Sequence, residues 1–491
     1  MEREAHAHTR TGKLGLIVVT CLLLAGFCFG QPAVSLSPKD GPPTTNLQVS
    51  GSGFTPYAQI DIYFDSQDQA VAMADATGTF RQIAIQAPKF AVPGNHWVTA
   101  AERSGRIVKQ EIFEVHVNWT EFHTKDMMRW NPYENILNVN NVGSLQELWS
   151  YQTGDAIYSS PSVVNGVVYV GSRDHHLYAL KARTGALLGR LRVGYLDSSP
   201  AVVDGAVYFG SWGDWNVYAL DAHTGAPLWS YKTGDHVDSS PAVANGAVYV
   251  GSDDDNIYAL DARTGALLWS FQTGLGVDVS PAVANGVVYV GGANFFYALD
   301  ARTGAKLWSY QTESFGWSSP AVANGVVYVG SYEGTVYALD ASTGHLLWTY
   351  FILYPVDSSP AVANGVVYFG SRDHNVYALD ASTGAKLWKY TTAGEVESSP
   401  AVANGMVYVG SYDTVYGLNA RNGHLLWSYQ TGFIYSSPSV LNGVVYIGSE
   451  DGSVYAFGLP GGMMPQPPKR PDPKTLRPDF ILKPVSTAVS N

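Results

Sequence analysis

From about Gln146 to Leu459, short apolar runs alternate with turn residues in one recurring phrase. It is clearest at 239–274, SSPAVANGAVYVGSDDDNIYALDARTGALLWSFQTG. Each copy holds four strand-like pieces. Strand A reads Ser-Pro-Ala-Val-Ala, strand B Val-Val-Tyr-Val-Gly-Ser, strand C Val-Tyr-Ala-Leu-Asp and strand D Leu-Leu-Trp-Ser-Tyr. An Asn-Gly pair joins A to B, and both residues tolerate the positive φ of a type I′ hairpin turn. The Ser-Pro prolines, Pro161, Pro200, Pro241, Pro281, Pro320, Pro360, Pro400 and Pro438, recur every 38 to 41 residues. That period, with four strands per unit, predicts an all-β, eight-bladed β-propeller at 146–459. The last unit stops after strand C, near Phe457, while Gln146–Gly154 is a strand D with nothing before it. The N-terminal strand therefore closes the ring and removes its open edge. Strand D carries Trp149, Trp229, Trp269, Trp308, Trp348, Trp388 and Trp427 at one repeat position, and Gly189 stands there in the first unit. Indoles packed between blades contribute about 2–3 kcal/mol each, so the seam at Gly189 is predicted to be the weakest.

Outside the repeat the pattern changes. From Pro32 to Val117, short alternating segments such as Gln59–Phe64 and Ile112–Val117 predict a small β-sandwich. The run Gly41-Pro-Pro-Thr-Thr, followed by Val49-Ser-Gly-Ser-Gly-Phe54, is similar to bacterial Ig-like domains of the IPT/TIG type. Residues 118–145 hold Trp119 and Trp130 and read as a strap packed under the propeller, because so aromatic a segment does not stay solvated. The tail, 460–491, has eight prolines and five Lys/Arg and reads as extended or disordered. At the other end, Arg3, Arg10 and Lys13 precede the apolar run Leu14–Gly30, which reads as an export signal, with a membrane anchor as the alternative. The expected location is the periplasm, the outer-membrane surface or the exterior.

Charge sharpens this picture. A net charge of −12 argues against nucleic acid. Both cysteines, Cys21 and Cys28, precede the sandwich, leaving no disulfide framework or cysteine metal site beyond them. In a propeller the B–C and D–A loops share one face. Of the 26 Asp and Glu in 146–459, 19 fall in those loops, with only Arg173 and Arg372 of the 13 Lys and Arg. Such a face attracts basic partners. The residues that open strand A ring the channel mouth: Tyr158, Asp197, Asp238, Asp278, Trp317, Asp357, Glu397 and Tyr435. Crowded carboxylates there raise one another's pKa or recruit a cation. Asp253, Asp254 and Asp255 are oxygen-rich candidates for calcium, without the spacing of an EF-hand loop. Trp212 and Trp215 depart from the repeat and are candidates for stacking on a sugar or anchoring a peptide. No Ser-His-Asp arrangement, phosphate loop or HExxH motif is present.

The segment Ala219-Leu-Asp-Ala-His-Thr-Gly-Ala-Pro-Leu-Trp229 matches the tryptophan-docking motif AxDxxTGxxxW of PQQ-type propellers, as do the units beginning at Ala259, Ala298, Ala338 and Ala378. The unit at Ala179 departs from it at Lys181 and Gly189, and the one at Gly417 at Gly417, Asn419 and Asn422. The chain thus resembles a superfamily of quinoprotein dehydrogenases and non-catalytic propellers, the latter including the BamB-like propellers of outer-membrane β-barrel assembly. For the dehydrogenases, the resemblance implies an adjacent cysteine pair over the quinone, a Glu/Asn/Asp calcium site and a catalytic Asp. The cysteine-free propeller favours a non-catalytic scaffold with no catalytic residue, no PQQ and no calcium, read as a monomer whose partner is an envelope protein or basic peptide. The alternatives are a PQQ-dependent dehydrogenase and a carbohydrate-binding surface protein.

Overall fold

A computed structural model describes residues 31–124, 127–292, 294–312, 316–462, 469–472 and 476. The export-signal reading of 1–30 lies outside these residues, as does most of the tail. Among the described residues no helix is long and apolar enough to cross a membrane.

The leading region is a two-sheet sandwich. Ala33–Ser37, Asn46–Ser52 and Phe80–Gln86 form one sheet. Asp40–Gly41, Val108–Val115, Gly94–Glu102, Gln59–Phe64 and Gln67–Met73 form the other. Alternating residues point Leu47, Val49, Ile60, Ile62 and Phe113 into a core between the sheets.

Eight antiparallel sheets follow, seven of them from consecutive A, B, C and D strands. In the eighth, Gln146–Gln152 pairs with Ser453–Gly458, so the orphan strand D completes the last blade, with Trp149 opposite Ala456. The A–B turns have positive φ at both central residues, as at Asn245 (51°) and Gly246 (77°).

Two sets of hydrogen bonds join neighbouring blades. At the hub, the amide of the second serine in each Ser-Pro step donates to the hydroxyl of its counterpart in the next blade. The chain of donors runs Ser160, Ser199, Ser240, Ser280, Ser319, Ser359, Ser399 and Ser437, then back to Ser160, every link 2.9–3.0 Å. Each of these serines is buried. At the rim, each strand-D indole N–H donates to a backbone carbonyl of the following blade, as Trp229 to Ala262 at 2.9 Å and Trp348 to Ala381 at 3.0 Å. Six of these seven indoles also lie against the glycine of that blade's C–D turn, the exception being Trp427, which bonds Leu145 O. A Cβ on Gly265 would sit 2.6 Å from the Trp229 ring, so only glycine fits, and its φ of 71° requires glycine too.

The strap lies on the A–B end of the ring. Trp119 pairs with Val163 through both backbone bonds, and Thr120 O accepts from Val202. Glu121 accepts from the Val243 amide. Further on, Met127, Met128 and Arg129 accept from Val322, Val362 and Val402. Trp130–Asn131 pairs in parallel with strand A of the seventh blade, and Asn131 Nδ2 donates to Val440 O. The strap thereby covers the free edge of nearly every inner strand in turn. Arg129 is fully buried, donating to the carbonyls of Phe122, Pro400 and Pro438 between the Trp119 and Phe122 rings.

Removing one indole, as in Trp269→Ala, is expected to cost about 3–5 kcal/mol, read as a lower midpoint in reversible denaturation. Gly189→Trp is expected to raise Tm by closing the seam that has no indole. An unchanged or lower Tm would show that this seam is already closed by other contacts.

Candidate binding mouth

The residues at the start of strand A converge on one end of the channel, opposite the strap. They do not form a uniform acidic ring. On one side Arg173 makes a bidentate pair with Asp197 (2.9 and 2.7 Å), and its guanidinium lies 3.6 Å from the centre of the Tyr158 ring. Tyr158 donates to Glu450 and stacks on Tyr435 at 4.8 Å. On the far side Arg372 bridges Asp357 (2.6 Å) and Glu397 (3.2 Å), 5.4 Å from the centre of the Trp317 ring. These are the two cations that the sequence places in the acidic loops, and each neutralises its own sector.

Among the described residues the third sector has no cation of its own. Carboxylate oxygens of Asp238, Asp253 and Asp278 lie within 4.8 Å of one another, the closest grouping of this kind among the described residues. Burial pushes the Asp238 carboxyl up to about 7, with the charges of Asp197 and Asp278 adding to the shift and Arg173 opposing it. Asp253 is raised by burial, with the neighbouring Asp278 and Asp238 carboxylates adding to the shift. Glu397 is also raised by burial to about 7, against the opposing pull of Arg372. The raised carboxyls of Asp238 and Asp253 can give up a proton in favour of a metal ion, an ammonium or a guanidinium.

The structure corrects one sequence reading. Asp253, Asp254 and Asp255 do not converge on a common ligand. Asp254 accepts from the Tyr258 hydroxyl (2.6 Å) and the Gly234 amide (2.6 Å), which ties the B–C loop to the preceding D–A loop. Asp255 sits at a turn with φ 69°, its carbonyl accepting from Thr273. Only Asp253 joins the mouth, and its partners come from neighbouring strand starts. The same tyrosine bond engages Asp174, Asp214, Asp373 and Asp451, so a good part of the acidic face is loop scaffolding.

Trp212 and Trp215 lie beside the mouth in an aromatic ladder. Trp212 stacks on His236 (4.0 Å, 4° between planes), Trp215 meets the same ring edge-on, and Tyr195 packs against Trp212. Lys232 lies 4.6 Å from the centre of the Trp215 ring. Trp212 remains 39% exposed, Trp317 57% and Tyr435 42%, so the rim offers aromatic surface next to the carboxylates. The other seven tryptophans at the repeat position all dock at blade seams.

The sequence profile of the outer membrane protein assembly factor BamB, a PQQ-type repeat, matches residues 173–293, 254–351 and 352–463, together more than half of the chain. The chain belongs to this family. No curated protein matches it by sequence. Among solved structures, BamB from Moraxella catarrhalis superposes with a TM-score of 0.57 at 21% identity, covering 64% of this chain and all of that one. A europium-containing methanol dehydrogenase gives 0.61 at 16% identity over 70% of this chain and 98% of its own. The quinohemoprotein alcohol dehydrogenase of Comamonas testosteroni gives 0.62 at 17% identity over 70% and 80%. At these identities the likeness establishes a shared propeller fold.

Within this family the quinone can be weighed against the residues present. The cysteine pair implied for the dehydrogenases cannot be built, because no cysteine follows Cys28. The cations of the mouth, Arg173 and Arg372, are already paired with Asp197, Asp357 and Glu397, which leaves a polyanionic quinone without a free counter-charge there. The donor set does not fit that cofactor.

The pH dependence follows from the raised carboxyls. A carboxyl with a raised folded pKa favours the folded state while protonated, and that contribution is lost as pH climbs from the ordinary aspartate value of 3.8 through about 7 for Asp238. Asp238→Asn imitates the protonated form. Its Tm relative to the parent is expected to be higher at about pH 8 than at about pH 5. An identical difference at both pH values would mean that Asp238 titrates normally.

Proposed function

We propose that this propeller is an exported, non-catalytic scaffold of the cell envelope that binds a basic protein segment at its acidic mouth. The observation that carries the reading is the unneutralised Asp238–Asp253–Asp278 sector, beside exposed aromatic side chains. Arg173 and Arg372 satisfy the carboxylates next to them, so an incoming cation finds its counter-charges in one sector. The aromatic ladder supplies cation–π and stacking surface on the approach. The strap occupies the opposite end, which directs a partner to the loop face. Membership of the BamB family supports an envelope setting, and the charged n-region and apolar run at 1–30 support export. The sandwich and the tail serve as spacer or docking segments.

Titration with an arginine-rich peptide tests the reading. Binding is expected to weaken steeply with salt and to fall about 10-fold or more in Asp238→Asn/Asp278→Asn, through loss of charge-assisted contacts. Asp204→Asn, in an A–B turn, is expected to leave it unchanged. Equal losses in both variants would reduce the effect to overall charge. The oxidoreductase alternative would replace this reading if the purified protein took up quinone stoichiometrically with dye-linked turnover. The glycan alternative would do so if binding of a saccharide were lost in Trp212→Ala/Trp215→Ala while peptide binding remained.

A further inference from the structure

We infer that the seam between the first and second blades is an open tryptophan slot that receives the indole of a tryptophan on a partner protein. The propeller itself shows what such a slot binds. At six other seams an indole covers a C–D-turn glycine and donates to a carbonyl of the same blade. Gly185, Gly265, Gly304, Gly344, Gly384 and Gly423 are covered in this way by Trp149, Trp229, Trp269, Trp308, Trp348 and Trp388. All six glycines are buried.

At the remaining C–D turn the receptor half is intact and the ligand half is missing. Gly225 keeps the same φ of 71° but has nothing among the described residues within 4 Å of a would-be Cβ, and it is exposed. Ala222 O, the counterpart of the indole-accepting carbonyls, receives only the Tyr169 hydroxyl at 2.8 Å. Its equivalents Ala262 and Ala301 each accept from a tyrosine and a tryptophan. A carbonyl oxygen has two lone pairs, so one remains for an indole N–H. Across the gap Gly189 occupies the tryptophan's register position opposite Ala179, and a Cβ there would meet open space. Ala179 is partly exposed, whereas Ala219, Ala259, Ala298, Ala338 and Ala378 beneath their tryptophans are fully buried.

Charge does not select an acidic occupant: Asp221 on the receptor turn lies beside Tyr169 at this seam, and Arg190 points away from it, bonded to Tyr178 on the side of the eighth blade. The filled seams identify the occupant as an indole, whose ring covers the glycine and whose N–H meets the free lone pair of Ala222 O. The slot lies at the seam on the outer edge, away from the mouth, and does not depend on the reading of the mouth.

The test uses a blocked peptide with one 5-fluorotryptophan between glycines and serines, followed by fluorine NMR against the full-length protein. The resonance is expected to shift and broaden with the parent protein. Gly189→Trp fills the slot from within and is expected to abolish the shift. Gly189→Leu, a smaller filler, is expected to weaken it and serves as the readout if the tryptophan variant does not fold. The same peptide carrying 5-fluoro-1-methyltryptophan, which has no indole N–H to donate, is expected to bind several-fold more weakly. No shift with the parent, or equal binding to the parent and both filled variants, would overturn the proposal.

Discussion

A closed circuit of eight hydrogen bonds, each from a serine amide to the serine hydroxyl of the next blade, sets the geometry of the hub. Strand A is the innermost and shortest strand, three residues long in each blade, and its free edge would otherwise leave polar backbone groups unpaired in a buried place. The serine circuit and the strap together meet that requirement. Because every serine both donates and accepts, one missing blade would leave two buried groups unsatisfied. The N-terminal strand D that completes the eighth blade is therefore bound to the hub's closure. The indoles repeat the logic at the rim, where apolar burial and one hydrogen bond act on the same seam.

Uniform construction makes the departures informative. Seven indoles dock inward on glycine or a neighbouring carbonyl, while Trp212, Trp317 and Tyr435 stay exposed at the mouth or on its rim. Most acids of the B–C loops are held by tyrosine hydroxyls, and two sectors of the mouth carry an arginine. Subtracting these leaves Asp238, Asp253 and Asp278 as carboxylates that the fold does not use for itself. The same subtraction at the seams leaves Gly225 and the carbonyl of Ala222.

The repeat period, the strand assignments and the closing strand were legible in the sequence, because local alternation and turn pairs such as Asn245-Gly246 encode them directly. The seam without an indole was equally plain at Gly189. The serine circuit was visible only as repetition of Ser-Pro, since nothing local shows that a hydroxyl bonds some 40 residues away. The path of the strap was hidden for the same reason, its partners being spread over the whole ring. Consecutive acids misled at Asp253, Asp254 and Asp255. Adjacent side chains around a turn diverge, and real clusters come from neighbouring blades. The two arginines were seen as exceptions to an acidic face, while their pairing with Asp197 and Asp357 depends on loop geometry that spacing does not reveal.

A basic segment that enters the mouth displaces protons from the raised carboxyls there. Calorimetric titration of the arginine-rich peptide at about pH 7, in two buffers of different ionisation enthalpy, measures this directly. Asp238 with a pKa of about 7 predicts net proton release on binding to the parent protein, and less release from Asp238→Asn. Binding with no buffer-dependent heat, or with equal release from both proteins, would contradict it.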